Sequence, residues 1–287
     1  MFTKAKRTDT FIKLGIVGPS GSGKTFSALR LARGLVGPTG RIAVIDTENG
    51  SAKLYSDLTE FDHCDLVSHK YTEFIEAIKE AEKAGYDAAI IDSLSHLWQA
   101  ILDEKAAIDR RGGNSYANWT EPTKHLNEVI QTILQARIHV VCCLRSKAEY
   151  VMETNAKGKE VPKKVGTAPI FRENLEYEFS TVLEIGMDHQ CTPSKDRTGL
   201  FVDKTFRIDE RTGEQIAGWL SGLQQANRLR AADNEETTRF LNLIHEAESK
   251  DALSKIGLKI KESTLPESQK DIIRNVYRER SNSLAAV

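Results

Sequence analysis

Apolar runs of strand length alternate with segments of helical periodicity along the first half of the chain. Four apolar runs predict buried strands: residues 11–17, the apolar core of 41–50, residues 86–92 and residues 138–144. Segments with apolar residues at helical spacing lie between these runs. They predict helices at 26–35, 72–84, 94–108 and about 121–136. This alternation favours an α/β fold in which a mainly parallel sheet is flanked by helices.

The chain becomes more polar after residue 144. Residues 145–165 are rich in lysine and show no strong apolar period, so they predict a mobile loop or a hairpin. Two further strands are predicted at 181–185 and 201–203, with residues 191–199 as the hairpin between them. From about residue 224 charged, helix-forming residues dominate. We therefore expect a core over 1–222 and a small helical C-terminal region over 223–287.

The strongest chemical signal lies between the first predicted strand and the first predicted helix. It fits the pattern G-x-x-x-x-G-K-[ST] and, with the next residue, comprises Gly18, Pro19, Ser20, Gly21, Ser22, Gly23, Lys24, Thr25 and Phe26. In this pattern the glycines let backbone N–H groups point at the phosphates of a nucleoside triphosphate. Lys24 supplies positive charge to the β- and γ-phosphates, and the Thr25 hydroxyl suits Mg²⁺. The sequence therefore predicts a site for ATP and Mg²⁺.

Two carboxylates follow the second and third apolar runs. Asp92 ends its strand, which is where an aspartate holds Mg²⁺ in P-loop enzymes; its alternative role is to cap the next helix. Glu48 is expected at the carboxyl edge of the sheet, where ligands bind. Because Ser93 and not a glutamate follows Asp92, Glu48 is the candidate for orienting the attacking water. The alternative for Glu48 is a solvated residue at a strand end.

Composition and charge restrict the classes of function. The chain has 287 residues, with 40 Lys and Arg against 41 Asp and Glu, which argues against a wholly basic nucleic-acid coat but allows a local basic loop. No apolar run reaches the ~18 residues that cross a bilayer. The N-terminus lacks the apolar stretch of a signal peptide, so we expect a cytoplasmic protein without a membrane partner. Four cysteines without a C-x-x-C pair predict buried free thiols.

Three short motifs carry a resemblance to a known ATPase core. The runs Ile45-Asp46-Thr47-Glu48 and Ile90-Ile91-Asp92-Ser93 resemble the RecA-like core, in which the water-activating glutamate occupies the place of Glu48. The triplet Lys195-Asp196-Arg197 is similar to the lysine-x-arginine hairpin with which hexameric relatives reach the γ-phosphate of a neighbouring subunit. The resemblance implies catalytic roles for Lys195 and Arg197, and a homo-oligomer, ring or filament, with ATP at subunit boundaries. Two solvated hairpin charges are the alternative.

In overall plan, residues 10–222 resemble the RecA-like phage ATPases of the single-strand-annealing recombinase group known as Sak-four. That family implies ATP- and Mg²⁺-linked binding of single-stranded DNA, annealing of complementary strands during phage recombination, and cooperation with a single-strand-binding protein in the host cytoplasm. One departure concerns the coupling of ATP to DNA. Bacterial RecA places a glutamine after its fourth core strand to sense the γ-phosphate, whereas Arg145 occupies that place here.

The same resemblance assigns two DNA-binding segments. The loop after the 94–108 helix lies where RecA-like recombinases carry their first DNA loop, and the lysine-rich segment lies where they carry the second. The basic residues expected to neutralise phosphates are Arg110, Arg111, Lys147, Lys157, Lys159, Lys163 and Lys164. Tyr116 or Tyr150 could stack on a base. A solvated flexible loop is the alternative for each segment.

Three other functions remain open on the sequence. A ring helicase or helicase loader would use the same core, but the phosphate-binding pattern begins at residue 18 and leaves no place before it for a collar domain. A P-loop kinase of small molecules needs a lid with arginines over the phosphates, and the lysine-rich segment is a poor lid. A nucleotide-gated scaffold that does not hydrolyse ATP would tolerate loss of Glu48.

Overall fold

The computed structural model describes residues 5–7, 10–154, 160–172, 175–221, 235–247, 249–263, 265, 270, 273–274, 276–278 and 280–281. Of residues 148–154, 160–167 and 235–238 it describes the backbone alone. The chain divides into two units, Met1–Ala217 and Gly218–Val287.

The first unit is built on a largely parallel sheet. Its strands are β1 (Lys13–Gly18), β2 (Ile42–Asp46), β3 (Asp62–Asp65), β4 (Ala88–Asp92), β5 (His139–Thr154), β6 (Glu160–Pro169), β7 (Thr181–Ile185) and β8 (Cys191–Asp196). They lie in the order β3-β2-β4-β5-β1-β7-β8, and β6 pairs with β5. The first six strands of that order run parallel, whereas β8 and β6 are antiparallel to their neighbours. β1 and β4 are buried along their whole length, as expected for parallel strands covered on both faces.

Helices flank this sheet. They are α1 (Lys24–Val36), α2 (Tyr71–Lys83), α3 (Ser95–Asp109), α4 (Thr120–Gln135) and α5 (Glu210–Leu220), with short 3-10 segments at Ser51–Tyr55, Ala117–Trp119 and Leu175–Tyr177. The ends of the first four agree with the sequence prediction to within two residues. The predicted α/β fold, with a mainly parallel sheet between helices, is confirmed.

The lysine-rich segment forms a hairpin, which was one of its two predicted structures. β5 continues past Leu144 and pairs antiparallel with β6, with Ser146 opposite Pro169. The strand therefore belongs to the central sheet over its first residues and to a separate two-stranded ribbon afterwards. We call residues 146–154 and 160–169 the β5–β6 hairpin; residues 155–159 lie outside the described structure.

The predicted arrangement of residues 191–203 is wrong. Residues 191–196 are not a hairpin loop but strand β8, and the turn that precedes it occupies 186–190. Residues 201–203 form a turn instead of a strand. Asp196 shapes the chain here, since its carboxylate accepts hydrogen bonds from the backbone N–H of Thr198 and of Phe201, both at 2.8 Å. The buried Phe201 gave the misleading strand signal.

Two glycines set the contact between α1 and α5. A Cβ atom at Gly34 would overlap the carbonyl oxygen of Glu210, and one at Gly213 would overlap the carbonyl oxygen of Leu31. The two helices thus meet backbone to backbone. Beside this contact, the Arg30 guanidinium donates from Nε to both carboxylate oxygens of Glu210, at 2.8 and 2.9 Å.

The second unit contains the predicted C-terminal helices. They are α6 (Glu235–Glu246) and α7 (Lys250–Glu262), and Ser249 caps α7 by accepting from the Ala252 N–H at 3.2 Å. The side chains that share its buried core are Phe240, Ile244, Ala247, Leu253, Ile260, Leu265 and Ile273. The predicted boundary at 222/223 lies outside the described residues, as does Ile272.

The cysteines agree with the sequence prediction in part. Cys142, Cys143 and Cys191 are buried free thiols as predicted, but Cys64 is exposed on β3, at an edge of the sheet. Within the described ranges, no helix has the length and apolarity that a membrane span requires.

The helix contact gives the first testable prediction. Gly213→Ala should lower the free energy of unfolding by about 1–3 kcal/mol, because the new methyl group forces α5 away from α1. Glu214→Ala, at an exposed neighbouring position on α5, is the matched control and should change it by at most about 0.5 kcal/mol. Urea denaturation measures both values, and equal stabilities would contradict the close approach.

Candidate nucleotide site

The glycine-rich segment forms a tight loop between β1 and α1. Gly21 and Gly23 have φ of 82° and 87°, a left-handed region that glycine adopts at little cost. Gly18 has no room for a side chain, because a Cβ atom would lie 2.7 Å from the Ile185 carbonyl oxygen. The loop leads directly into the N-terminus of α1, whose N–H groups and dipole favour an anion. We call residues 18–25 the phosphate loop.

Lys24 and Thr25 carry the polar chemistry of this loop. Lys24 is a buried residue, 7% exposed, and its ammonium donates to the Pro19 carbonyl oxygen at 2.9 Å, so the ammonium is held over the loop. The Ser22 hydroxyl is buried and finds no hydrogen-bond partner among the described residues. A group rich in acceptor oxygens, such as a phosphate, would satisfy these donors.

The Thr25 hydroxyl donates to Oδ2 of Asp92 at 2.5 Å, which joins α1 to the end of β4. Burial raises the pKa of Asp92 to about 6, although the Thr25 hydrogen bond and the nearby Lys24 act in the opposite direction. A hydroxyl and a buried carboxylate are hard oxygen ligands, the type that Mg²⁺ takes in nucleotide sites. The donor set therefore fits Mg²⁺, and a bound cation would offset the buried charge of Asp92.

Glu48 lies in the loop that follows β2, and Asp46 holds that loop in place. The buried Asp46 carboxylate accepts from the backbone N–H of Glu48 at 2.5 Å and of Ala52 at 3.0 Å. It also lies 3.2 Å from Nε2 of His63. In the sequence, Asp46 stands out only as part of a motif. Its contacts identify it as the residue that positions Glu48.

Arg145 pairs with Glu48 across the site. Its Nε and Nη2 atoms donate to Oε1 of Glu48 at 3.1 and 2.8 Å. The backbone of Arg145 is also fixed, because its N–H donates to the Ser95 hydroxyl at 2.9 Å and its carbonyl accepts from the Ile170 N–H at 2.6 Å. Arg145 thus connects the carboxylate beside the phosphate loop to the base of the β5–β6 hairpin.

These groups line one cavity of about 620 Å³, within the size range of ligand pockets. The predicted residues that reach it include Lys24, Thr25, Phe26, Glu48 and Asp92. Residues that the sequence analysis did not assign to the site complete the wall: Arg30, Ser51, Leu54, Tyr55, His189, Arg207 and Ile208.

The aromatic part of this wall lies at one end of α1. The rings of Phe26 and Tyr55 pack edge to face with centroids 6.0 Å apart, and the Arg30 guanidinium lies 5.6 Å from the Phe26 ring centre. In the turn between β7 and β8, Nδ1 of His189 lies 3.0 Å from the Ser22 carbonyl oxygen. No local sequence pattern marks these residues, because long-range folding alone brings them to the loop.

Lys195 and Arg197 lie far from this cavity within the same chain. β8 runs antiparallel to β7 and places Asp196 opposite Thr181, at the edge of the sheet away from the phosphate loop. The Lys195 ammonium donates to the carbonyl oxygens of Glu176 and Tyr177, and Arg197 donates to that of Tyr177 at 3.3 Å. They are therefore not positioned to contact a nucleotide held by their own chain.

The predicted DNA-contacting residues are distributed over two segments. Arg110 and Arg111 are exposed at the end of α3, and Lys147 is exposed on β5. Lys163 and Lys164 belong to β6, but their side chains are outside the described structure. Lys157, Lys159 and the Tyr150 side chain also lie outside the described residues.

Comparison with known families agrees with this geometry. A family described as an AAA domain matches residues 10–219, a range that contains the phosphate loop, Glu48, Asp92 and Arg145. The chain belongs to this family of P-loop ATPases. A search of curated proteins found no match. The AAA domain therefore accounts for the fold and for the nucleotide site, and it implies the use of a nucleotide with Mg²⁺.

The site of this AAA domain gives a second prediction. Lys24→Ala should weaken binding of Mg²⁺-ATP roughly tenfold or more, because it removes the buried ammonium that faces the phosphates. Lys79→Ala, on the exposed surface of α2, removes the same charge elsewhere and should leave affinity unchanged. Equilibrium titration with a fluorescent ATP analogue measures both. Equal affinities for the two variants would contradict the assignment of Lys24.

Proposed function

We propose that this AAA domain protein is a RecA-like, DNA-dependent ATPase that binds single-stranded DNA and promotes strand annealing or exchange in phage recombination. One observation carries the proposal: β5 leaves the nucleotide site at Arg145 and continues directly into the lysine-rich β5–β6 hairpin. Continuous backbone therefore joins the nucleotide site to a cationic ribbon, and a change at the nucleotide would reach the ribbon through it. Such a ribbon suits phosphates of a nucleic-acid strand.

The hydrolytic step is assigned to Glu48 within this proposal. Glu48 lines the cavity, and its side chain is 25% exposed, so it is accessible to a water molecule. Its carboxylate would accept a proton from the attacking water once Arg145 is drawn away from it. Mg²⁺ at Thr25 and Asp92 would supply charge neutralisation, while Lys24 and the loop N–H groups hold the phosphates.

The position of Lys195 and Arg197 supports a proposal about assembly. Because both lie at the sheet edge opposite the phosphate loop, a role at a γ-phosphate requires a second copy of the chain. A guanidinium supplied from a neighbouring subunit stabilises charge on the transferring phosphoryl group and is worth about 10³-fold or more in rate. We therefore propose a homo-oligomer, ring or filament, with ATP between subunits.

The proposed function predicts that single-stranded DNA stimulates ATP hydrolysis and that duplex DNA does not. Glu48→Gln should abolish turnover in both conditions yet retain ATP and oligonucleotide binding, because the amide keeps the shape but cannot accept the proton. Phosphate release with single-stranded DNA, duplex DNA or no polymer measures stimulation. Annealing of complementary oligonucleotides is followed in parallel.

Three outcomes would contradict this assignment. Equal rates of ATP hydrolysis with and without single-stranded DNA would contradict a DNA-dependent ATPase. Normal ATP turnover by the Glu48→Gln variant would exclude Glu48 as the base that activates water. Strand separation of a duplex would favour the helicase alternative over annealing.

The subunit arrangement gives a separate prediction. Arg197→Ala alone and Lys24→Ala alone should each hydrolyse ATP slowly, but their mixture should regain part of the activity, since an intact phosphate loop then faces an intact Arg197. The control mixture pairs Arg197→Ala with the double variant Lys24→Ala/Arg197→Ala and should regain none. Steady-state ATPase assays measure the recovery, and its absence in the first mixture would argue against a role in trans.

A further inference from the structure

An aromatic cleft lies beside the base of the β5–β6 hairpin, separate from the nucleotide cavity. It has a volume of about 920 Å³, and its lining residues include Trp98, Tyr116, Trp119, Phe171, Lys147 and Arg172. We call this set the aromatic cleft. It draws side chains from α3, from α4 and the segment before it, from the start of the β5–β6 hairpin and from residues 171–172 just after the hairpin.

The rings of the cleft form a layered surface. Trp98 and Trp119 lie nearly parallel, with an interplanar angle of 13° and centroids 6.1 Å apart. Phe171 lies 5.8 Å from Trp98. The two tryptophans pack partly against the main core and are half-buried, which fixes their orientation. Tyr116 is 88% exposed, so packing within its own chain does not account for that ring.

Positive charge surrounds these rings. Lys147 and Arg172 line the cleft and are exposed, and Arg110 and Arg111 are exposed in the loop that leads to Tyr116. None of these four side chains forms an ion pair with another described residue.

Among the residues whose side chains are described, the acidic groups near the cleft contact other partners. Asp109 is paired with Lys105, accepts from the Asn118 amide at 2.8 Å and has a lowered pKa because of the Lys105 hydrogen bond. The Lys105 ammonium also lies 5.5 Å from the Trp119 ring centre. Oε1 of Glu104 lies 2.9 Å from Nδ1 of His125. Oε2 of Glu121 lies 3.8 Å from Nε2 of the same histidine.

Aromatic faces bordered by cations that form no ion pair with the described residues are suited to single-stranded nucleic acid. Every base has a π-face that stacks on such rings, while the cations follow the backbone phosphates. In a duplex the bases are already stacked and paired, and are not available to a cleft of this kind.

We propose that the aromatic cleft binds an unpaired base of single-stranded DNA, which stacks on Tyr116 and the Trp98–Trp119 pair while Lys147 and Arg172 contact the flanking phosphates. The inference rests on the proposed DNA-dependent function and adds a base-stacking site to it. Lys147 is two residues from Arg145 on β5, so the cleft and the nucleotide site share one strand.

The test compares two probes with equal numbers of phosphates: a labelled thymidine oligonucleotide and an oligonucleotide of the same length made of abasic units. We expect the protein to bind the thymidine probe about fivefold or more tightly than the abasic one, because stacking on the rings is lost without bases. Tyr116→Ala should reduce this ratio. Lys147→Gln with Arg172→Gln should weaken both probes equally, and Lys79→Gln is the matched control that should weaken neither.

A second measurement leaves the cleft intact. Trp219 is the third tryptophan of the chain, so in Trp219→Phe the tryptophan fluorescence, excited selectively over that of tyrosine, comes from Trp98 and Trp119 alone. The thymidine probe should quench it and the abasic probe should not.

The outcomes separate this inference from the proposed function. If single strands stimulate ATP hydrolysis but both probes bind equally and neither quenches, the stacking site is wrong and the function stands. If no oligonucleotide binds or stimulates hydrolysis, both fail.

Discussion

The parallel register of β4, β5 and β1 determines where every polar group of the nucleotide site lies. β5 lies between the other two, so the carboxyl ends of all three strands reach one edge. The phosphate loop begins at the end of β1, Asp92 ends β4, and Arg145 is the last residue of β5 that pairs with β1. None of these residues is near the others in sequence. The hydrophobic strands that fix their alignment are therefore as necessary to the site as its charged groups.

The sequence was sufficient for the parts of the structure that depend on local pattern. The buried strands, the first four helices and the phosphate loop follow from apolar periodicity and one glycine motif. The wall formed by Tyr55, His189 and Arg207 could not be predicted in this way, since tertiary packing alone brings these side chains together. β8 was missed because it is a polar edge strand that contains Pro193 beside a register shift, so its pattern is that of a loop.

A bound triphosphate would compete with Glu48 for the Arg145 guanidinium. In the present arrangement the guanidinium neutralises the carboxylate, and a neutralised carboxylate polarises water poorly. The outermost phosphate of a bound triphosphate carries more charge than Glu48 and would compete for the same cation. Within the proposed function, this exchange would free the base and shift the root of the β5–β6 hairpin together. Arg145 would then couple the bound ATP to the DNA-binding hairpin through its charge. The glutamine of RecA, in contrast, uses a neutral hydrogen bond.

The opposite placement of the phosphate loop and Arg197 has a consequence for assembly symmetry. A contact that joins one edge of the sheet to the opposite edge of the next copy, repeated from copy to copy, is head-to-tail; it gives a ring if the rotation between copies closes and an open filament if it does not. Under the proposed arrangement, an open array of n copies completes n − 1 sites, whereas a closed array completes all n. Specific activity would then rise with array length in the open case and would be independent of it once the array closes.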